Sequence, residues 1–90
     1  MGPEAQPRAR AARTPAPPAL SPREVQILRA WLRSDSKSDV AGKLLVSVTT
    51  VNTHLSRIRE KYTAAGRYAG TKAALTARAL QDGYVTLDEL

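Results

Sequence analysis

Two helix starts, Ser36 and Ser47, lie eleven residues apart in this chain. Only Val46 and Ser47 separate the helix opened by the first from the helix capped by the second. Ser36 with Asp39 offers a capping box that opens Lys37 to Leu45, whose apolar residues are Val40, Ala41, Leu44 and Leu45. Ser47 caps a longer helix that runs to about Tyr62. A short helix, a tight connection and a longer helix make a helix-turn-helix, and few folds accommodate that pair.

The flanking signals are also helical. Ser21 as N-cap, Pro22 at the first helical position and Glu24 three after the cap open a helix with apolar residues at Val25, Ile27, Leu28, Trp31 and Leu32. At about 100° per residue these five span nearly half of its surface, so this helix belongs at the centre of the core, with Trp31 at its edge. Ser34-Asp35-Ser36 ends it. Thr63 to Gly70, TAAGRYAG, has two glycines and no helical stripe and reads as a loop. Thr71 caps a fourth helix, Lys72 to Asp82, rich in alanine around Leu75 and Leu80; Gly83 ends it in the left-handed conformation, with Tyr84 and Val85 folding back. No strand signal competes, so residues 20–90 are expected to form an all-α, four-helix bundle.

Residues 1–19 differ in kind. They hold five of the six prolines, with Arg8, Arg10 and Arg13 but no large apolar residue after Met1. Such a segment cannot offset the entropy of ordering and reads as a flexible, disordered linker or tail. Its arginines and single acid also fit an organelle transit peptide, but the closely spaced prolines oppose the amphipathic helix such a peptide forms. The linker reading is preferred.

The chain carries 14 Lys+Arg against 8 Asp+Glu, a net charge of +6, and Ser21 to Leu90 alone carries 11 against 7. The basicity therefore belongs to the folded part, and it favours a polyanionic partner, nucleic acid or an anionic membrane surface. No apolar run is long enough to cross a bilayer and no signal sequence is evident, which points to a cytoplasmic protein. Lacking cysteine and holding one histidine, the sequence excludes disulfides and thiol catalysis and offers no metal site; no cofactor is expected. The carboxylates are scattered, no glycine-rich phosphate loop exists, and the serines lack a histidine at any motif spacing, so an enzyme is not expected.

The third helix has two unlike faces. Val51, Leu55, Ile58 and Tyr62 fall on one narrow apolar stripe at about 100° per residue. Asn52, Ser56, Thr49, Glu60, Thr53 and Arg57 fall opposite, short and polar first, charged later. A helix entering a DNA major groove by its N-terminal end needs compact donors and acceptors at the base edges and cations at the backbone. Asn52 can pair bidentately with adenine, Thr53 can touch a thymine methyl or form single hydrogen bonds, and Ser56 can reach the next base. The plainer alternative is a solvated polar face. Two capped helices around a tight turn, a net-basic domain and the absence of large apolar residues from that face together favour DNA. Arg57, Arg59, Lys61 and Arg67 are candidates for phosphate. Glu60 would be repelled by phosphate unless the helix has left the groove by then or Arg57 pairs with it. His54 borders the apolar stripe and reads as a packed histidine.

Leu20 to Leu45, LSPREVQILRAWLRSDSKSDVAGKLL, followed by VSVTTVNTHLSRIREKY, resembles the LuxR/NarL/FixJ-type DNA-binding domain of bacterial response regulators and quorum-sensing factors. The carrying segments are Leu20-Ser21-Pro22-Arg23-Glu24, Ser36 to Ala41, and Val46-Ser47-Val48-Thr49-Thr50-Val51-Asn52-Thr53-His54. The resemblance implies base contacts at Asn52, Thr53 and Ser56 and phosphate contacts near Ser47, Thr50 and Lys61, with Thr49 beside them. It also implies a homodimer on DNA through the fourth helix, where Ala73, Ala74 and Ala77 would suit close approach; the competing reading packs them inside the monomer. Asn52 stands where many members have Lys, Ser34 where the family has Gly, and Lys72 where an acid follows the fourth cap. The eight residues between Tyr62 and Thr71 are more than is usual, a feature that resembles actinobacterial members.

The expectation is a sequence-specific transcription regulator's DNA-binding domain that recruits or blocks RNA polymerase and binds no small molecule itself. The Pro-rich start reads as an interdomain linker from a receiver or sensory domain, the alternative being a stand-alone member of the family. The rival is a helix-turn-helix that binds a sigma factor or partner regulator instead of DNA.

Overall fold

The computed structural model describes residues 17–90; the expected flexible tail falls largely outside the described residues. Four α-helices follow one another: α1 (Pro22–Leu32), α2 (Lys37–Leu44), α3 (Val48–Ala64) and α4 (Lys72–Asp82), with a 3-10 turn at Leu87–Glu89. No strand occurs among the described residues. Each α-helix starts on a hydroxyl: Ser21 accepts from the Glu24 N–H, Ser36 from Asp39, Ser47 from Thr50 and Thr71 from Ala74. Glu24 returns the bond to the Ser21 N–H at 2.8 Å, completing a capping box.

The ends of α2, α3 and α4 share one device. A left-handed residue follows the helix, and the next N–H reaches back five residues to a free carbonyl: Val46 to Ala41 at 3.0 Å, Arg67 to Tyr62 at 2.9 Å and Tyr84 to Ala79 at 2.9 Å. Gly66 and Gly83 take the left-handed position after α3 and α4. After α2 that position is Leu45, at φ 57°, and there the expectation needs correcting. Leu45 is not part of an apolar helical set; the helix stops at Leu44, and Leu45 is 91% exposed. The physical reason is the brevity of the connection. Only a left-handed residue reverses the chain quickly enough to bring Val46 back onto the core and leave Ser47 free to cap α3.

α3 packs against both α1 and α2. Its stripe of Val51, Leu55, Ile58 and Tyr62 is fully buried against Ile27, Leu28, Leu32, Val40 and Ala41, and Leu75, Ala79 and Val85 close the core from the C-terminal side. α3 also runs two residues beyond Tyr62, as Ala64 suits a helix and Gly66 ends it. α4 meets α1 through Lys72, whose ammonium stands 4.0 Å from the Trp31 ring centroid and donates to the Ser34 carbonyl at 2.6 Å. An acid at position 72 could do neither. Arg29 fastens the C-terminal segment by donating to the Tyr84 carbonyl at 2.6 Å and pairing with Glu89.

Candidate nucleic-acid interface

Burying one stripe of α3 forces the opposite one outward. Asn52, Thr53 and Ser56 are all exposed, and with Thr49, Arg57 and Glu60 they line one shallow, open concavity along the helix. Every lining side chain is polar. Asn52 is exposed with no intramolecular hydrogen bond among the described residues, so its full donor and acceptor set is free. The Thr53 hydroxyl donates to the Thr49 carbonyl at 3.0 Å, which leaves acceptor capacity and the methyl group for a ligand. That favours the thymine-methyl option of the two open for Thr53.

At the N-terminal end, Ser47 Oγ accepts the Thr50 N–H at 3.0 Å and donates to Thr50 Oγ1 at 3.0 Å. The Thr50 hydroxyl hydrogen stays free. The first turns of α1 and α2 carry Glu24 and Asp39, whereas those of α3 and α4 carry no acid. The free N–H groups of α3 and the positive end of its dipole are therefore uncompensated, a setting that suits an anion such as phosphate.

The cations divide. Arg57 is exposed on the concavity and makes no ion pair among the described residues. Lys61 is otherwise engaged: its ammonium sits 2.6 Å from Glu24 Oε1 and donates to the Ala19 carbonyl at 3.1 Å. A phosphate at Lys61 has to compete with that carboxylate. Burial alone would raise the Glu24 carboxyl, but hydrogen bonds from Lys61 and Ser21 outweigh it and hold the pKa below the ordinary 4.5. A carboxyl lowered in this way contributes stability above its unfolded-state pKa, and the contribution is lost as pH falls through the folded value.

Arg67 is a correction. Expected to hold phosphate, it is only 7% exposed, donating to Asp82 at 2.9 Å and Gln81 at 2.8 Å with its guanidinium 5.2 Å from the Tyr62 ring centroid. The chain reversal after α3 turns it inward, where it is the cation of a buried pair. Arg59 and His54 are half-buried, and His54 Nδ1 is enclosed without a protein partner among the described residues. Ala73 is exposed and Ala74 and Ala77 are half-exposed, while Ala79 is the α4 alanine that fills the core.

Of the two readings open for Glu60, the pair with Arg57 does not form among the described residues. Glu60 lines the same concavity as the candidate readers, and sequence reasoning placed it on that face without giving it a role. The signal was present in its helical angle, near the middle of the exposed arc.

A short bracing helix, a tight turn and a second helix with an outward polar face define a helix-turn-helix of the DNA-binding type. The family described as "Bacterial regulatory proteins, luxR family" matches residues 18–74, 57 of the 90. The chain belongs to this LuxR family and carries its DNA-binding domain for transcription regulation. The match covers α1 to α3, the loop and the first residues of α4; the rest of α4 and the 3-10 turn lie beyond it. Comparisons with curated proteins and with solved structures return no match. No helix among the described residues is long and apolar enough to cross a membrane.

Proposed function

We propose that this domain binds double-stranded DNA sequence-specifically as the effector part of a NarL-type regulator, with α3 in the major groove. The observation that carries the reading is the wholly polar, open face of α3, continuous with a helix N-terminus that no acid compensates. Asn52, Thr53 and Ser56 read base edges; Ser47, Thr49 and Thr50 bind phosphate at the N-terminal end, and Arg57 binds it along the flank. Lys61 joins them only by leaving Glu24. Arg67 has no part in this interface.

Two copies on one operator would meet through α4, where Ala73, Ala74 and Ala77 leave a low surface for close approach. Bound there, the protein recruits or obstructs RNA polymerase from within the cytoplasm. The second reading, a module that binds a protein such as a sigma factor, is favoured by Leu45 and Val48, which are 91% and 39% exposed beside Ser47.

Fluorescence anisotropy with a labelled duplex across a salt series separates the two. DNA binding through phosphates gives an affinity that falls steeply and linearly on logarithmic axes as salt rises. Absence of binding to any duplex at low salt, with salt-insensitive capture of a protein partner, would give the case to the second reading.

A further inference from the structure

Glu60 is a carboxylate placed where a polyanion is expected to dock. It is exposed, lies near the centre of the outward arc of α3, and lines one concavity with Asn52, Thr53, Ser56 and Arg57. Its neighbours in sequence do not neutralise it. Lys61 is bound to Glu24, Arg59 is half-buried, and Arg57, three residues earlier, makes no ion pair with it. A partly desolvated carboxylate without a donor is costly, so any DNA that covers this face has to supply one.

The donors exposed in the major groove are the N4 amino group of cytosine and the N6 amino group of adenine. Adenine presents its N6 beside the N7 acceptor, which repels a carboxylate, and guanine and thymine present acceptors only on this edge. Resting on the reading of α3 as a groove helix, we propose that Glu60 is a base-reading residue whose carboxylate accepts the N4 amino hydrogen of a cytosine in the major groove. It acts chiefly by exclusion: wrong bases leave it unpaired, so it narrows the range of bound sequences while lowering affinity for DNA in general.

Its place in the site follows from helix geometry. Glu60 lies eight residues beyond Asn52, roughly 12 Å along the helix axis, too far for both side chains to reach the same base. The cytosine therefore belongs to a different base pair from the one contacted by Asn52.

The test compares the wild type, Glu60→Gln and Glu60→Ala on duplexes that carry each base in turn at every position of a selected site. Circular dichroism confirms that these exposed changes leave the helices intact. The expected wild-type result is a preference for cytosine at one position of about ten-fold. Glu60→Ala abolishes that preference, Glu60→Gln moves it towards adenine, and all other positions keep theirs. A uniform tightening on every duplex with the preference unchanged would overturn the proposal, as would no change at all. Failure of the wild type to bind any duplex would instead overturn the reading of α3, and this inference with it.

Discussion

Asp82→Ala is expected to destabilise the domain by about 3 to 5 kcal/mol, the cost of stripping one partner from a buried ion pair. The side chains of Arg67 and Asp82 are 6% and 2% exposed, and the carboxylate receives both the guanidinium at 2.9 Å and the Tyr62 hydroxyl at 2.7 Å. Without it, a charge and a phenol are left in the interior with no acceptor. Small domains keep only about 5 to 15 kcal/mol in all, so a loss of this size leaves a substantial unfolded fraction in mild denaturant. Burial, and then the hydrogen bond to Asp82, push the Tyr62 phenol far above its usual range, so it remains a donor through any practical pH. Urea denaturation followed by circular dichroism measures the effect. A loss under about 1 kcal/mol would mean that Arg67 escapes to solvent and the pair is not the fastening it looks like. Replacing both residues with apolar ones of similar size should cost far less than Asp82→Ala alone, because no charge is stranded.

The second large effect is on binding. Asn52→Ala should weaken binding to a selected site by about 1 to 3 kcal/mol, the range of one good bidentate pair, and relax preference at one base pair. Asn52 is the member of the concavity whose amide is wholly uncommitted, whereas Thr53 has already given its proton to Thr49. Anisotropy titrations against the selected duplex and a scrambled one check it. An equal loss on both would show that Asn52 touches backbone or nothing and does not read a base. The stability should be unchanged, since an exposed polar side chain on a well-packed helix contributes little to folding.

These two cases mark what could be read from residues alone. Asn52 was legible because its position follows from local periodicity: once Val51, Leu55 and Ile58 are known to face inward, Asn52 has to face out. The caps were legible for a similar reason. Ser21, Ser36, Ser47, Thr71 and Gly83 each act within a few residues of themselves, and each sits where its chemistry requires. Arg67 was not legible, because its partner is fifteen residues away and is met only when the C-terminal end of α4 comes against the chain reversal after α3. Lys61 and Glu24 are thirty-seven residues apart, and no spacing rule connects them. A basic residue near a basic helix looks the same in sequence whether it faces phosphate or an internal carboxylate.

Leu45 shows a different limit. Its hydrophobicity argued for burial, yet the geometry of a three-residue connection, Leu45 to Ser47, demanded a left-handed residue at that point, and the backbone requirement prevailed. The 3-10 turn at Leu87–Glu89 carried no periodic signal, being too short to have a face. Its role emerges only from the fold, where Glu89 pairs with Arg29 on α1.

Everything functional depends on the outward face of α3 meeting base edges. The most direct measurement is a titration of isotope-labelled protein with a duplex recovered by in vitro selection, followed through the backbone amides and the Asn52 side-chain amide. The account predicts that the largest shifts fall between Ser47 and Glu60 and include the Asn52 side chain. Saturation of the duplex with shifts confined to α4 and Leu87–Glu89, and none along α3, would contradict it.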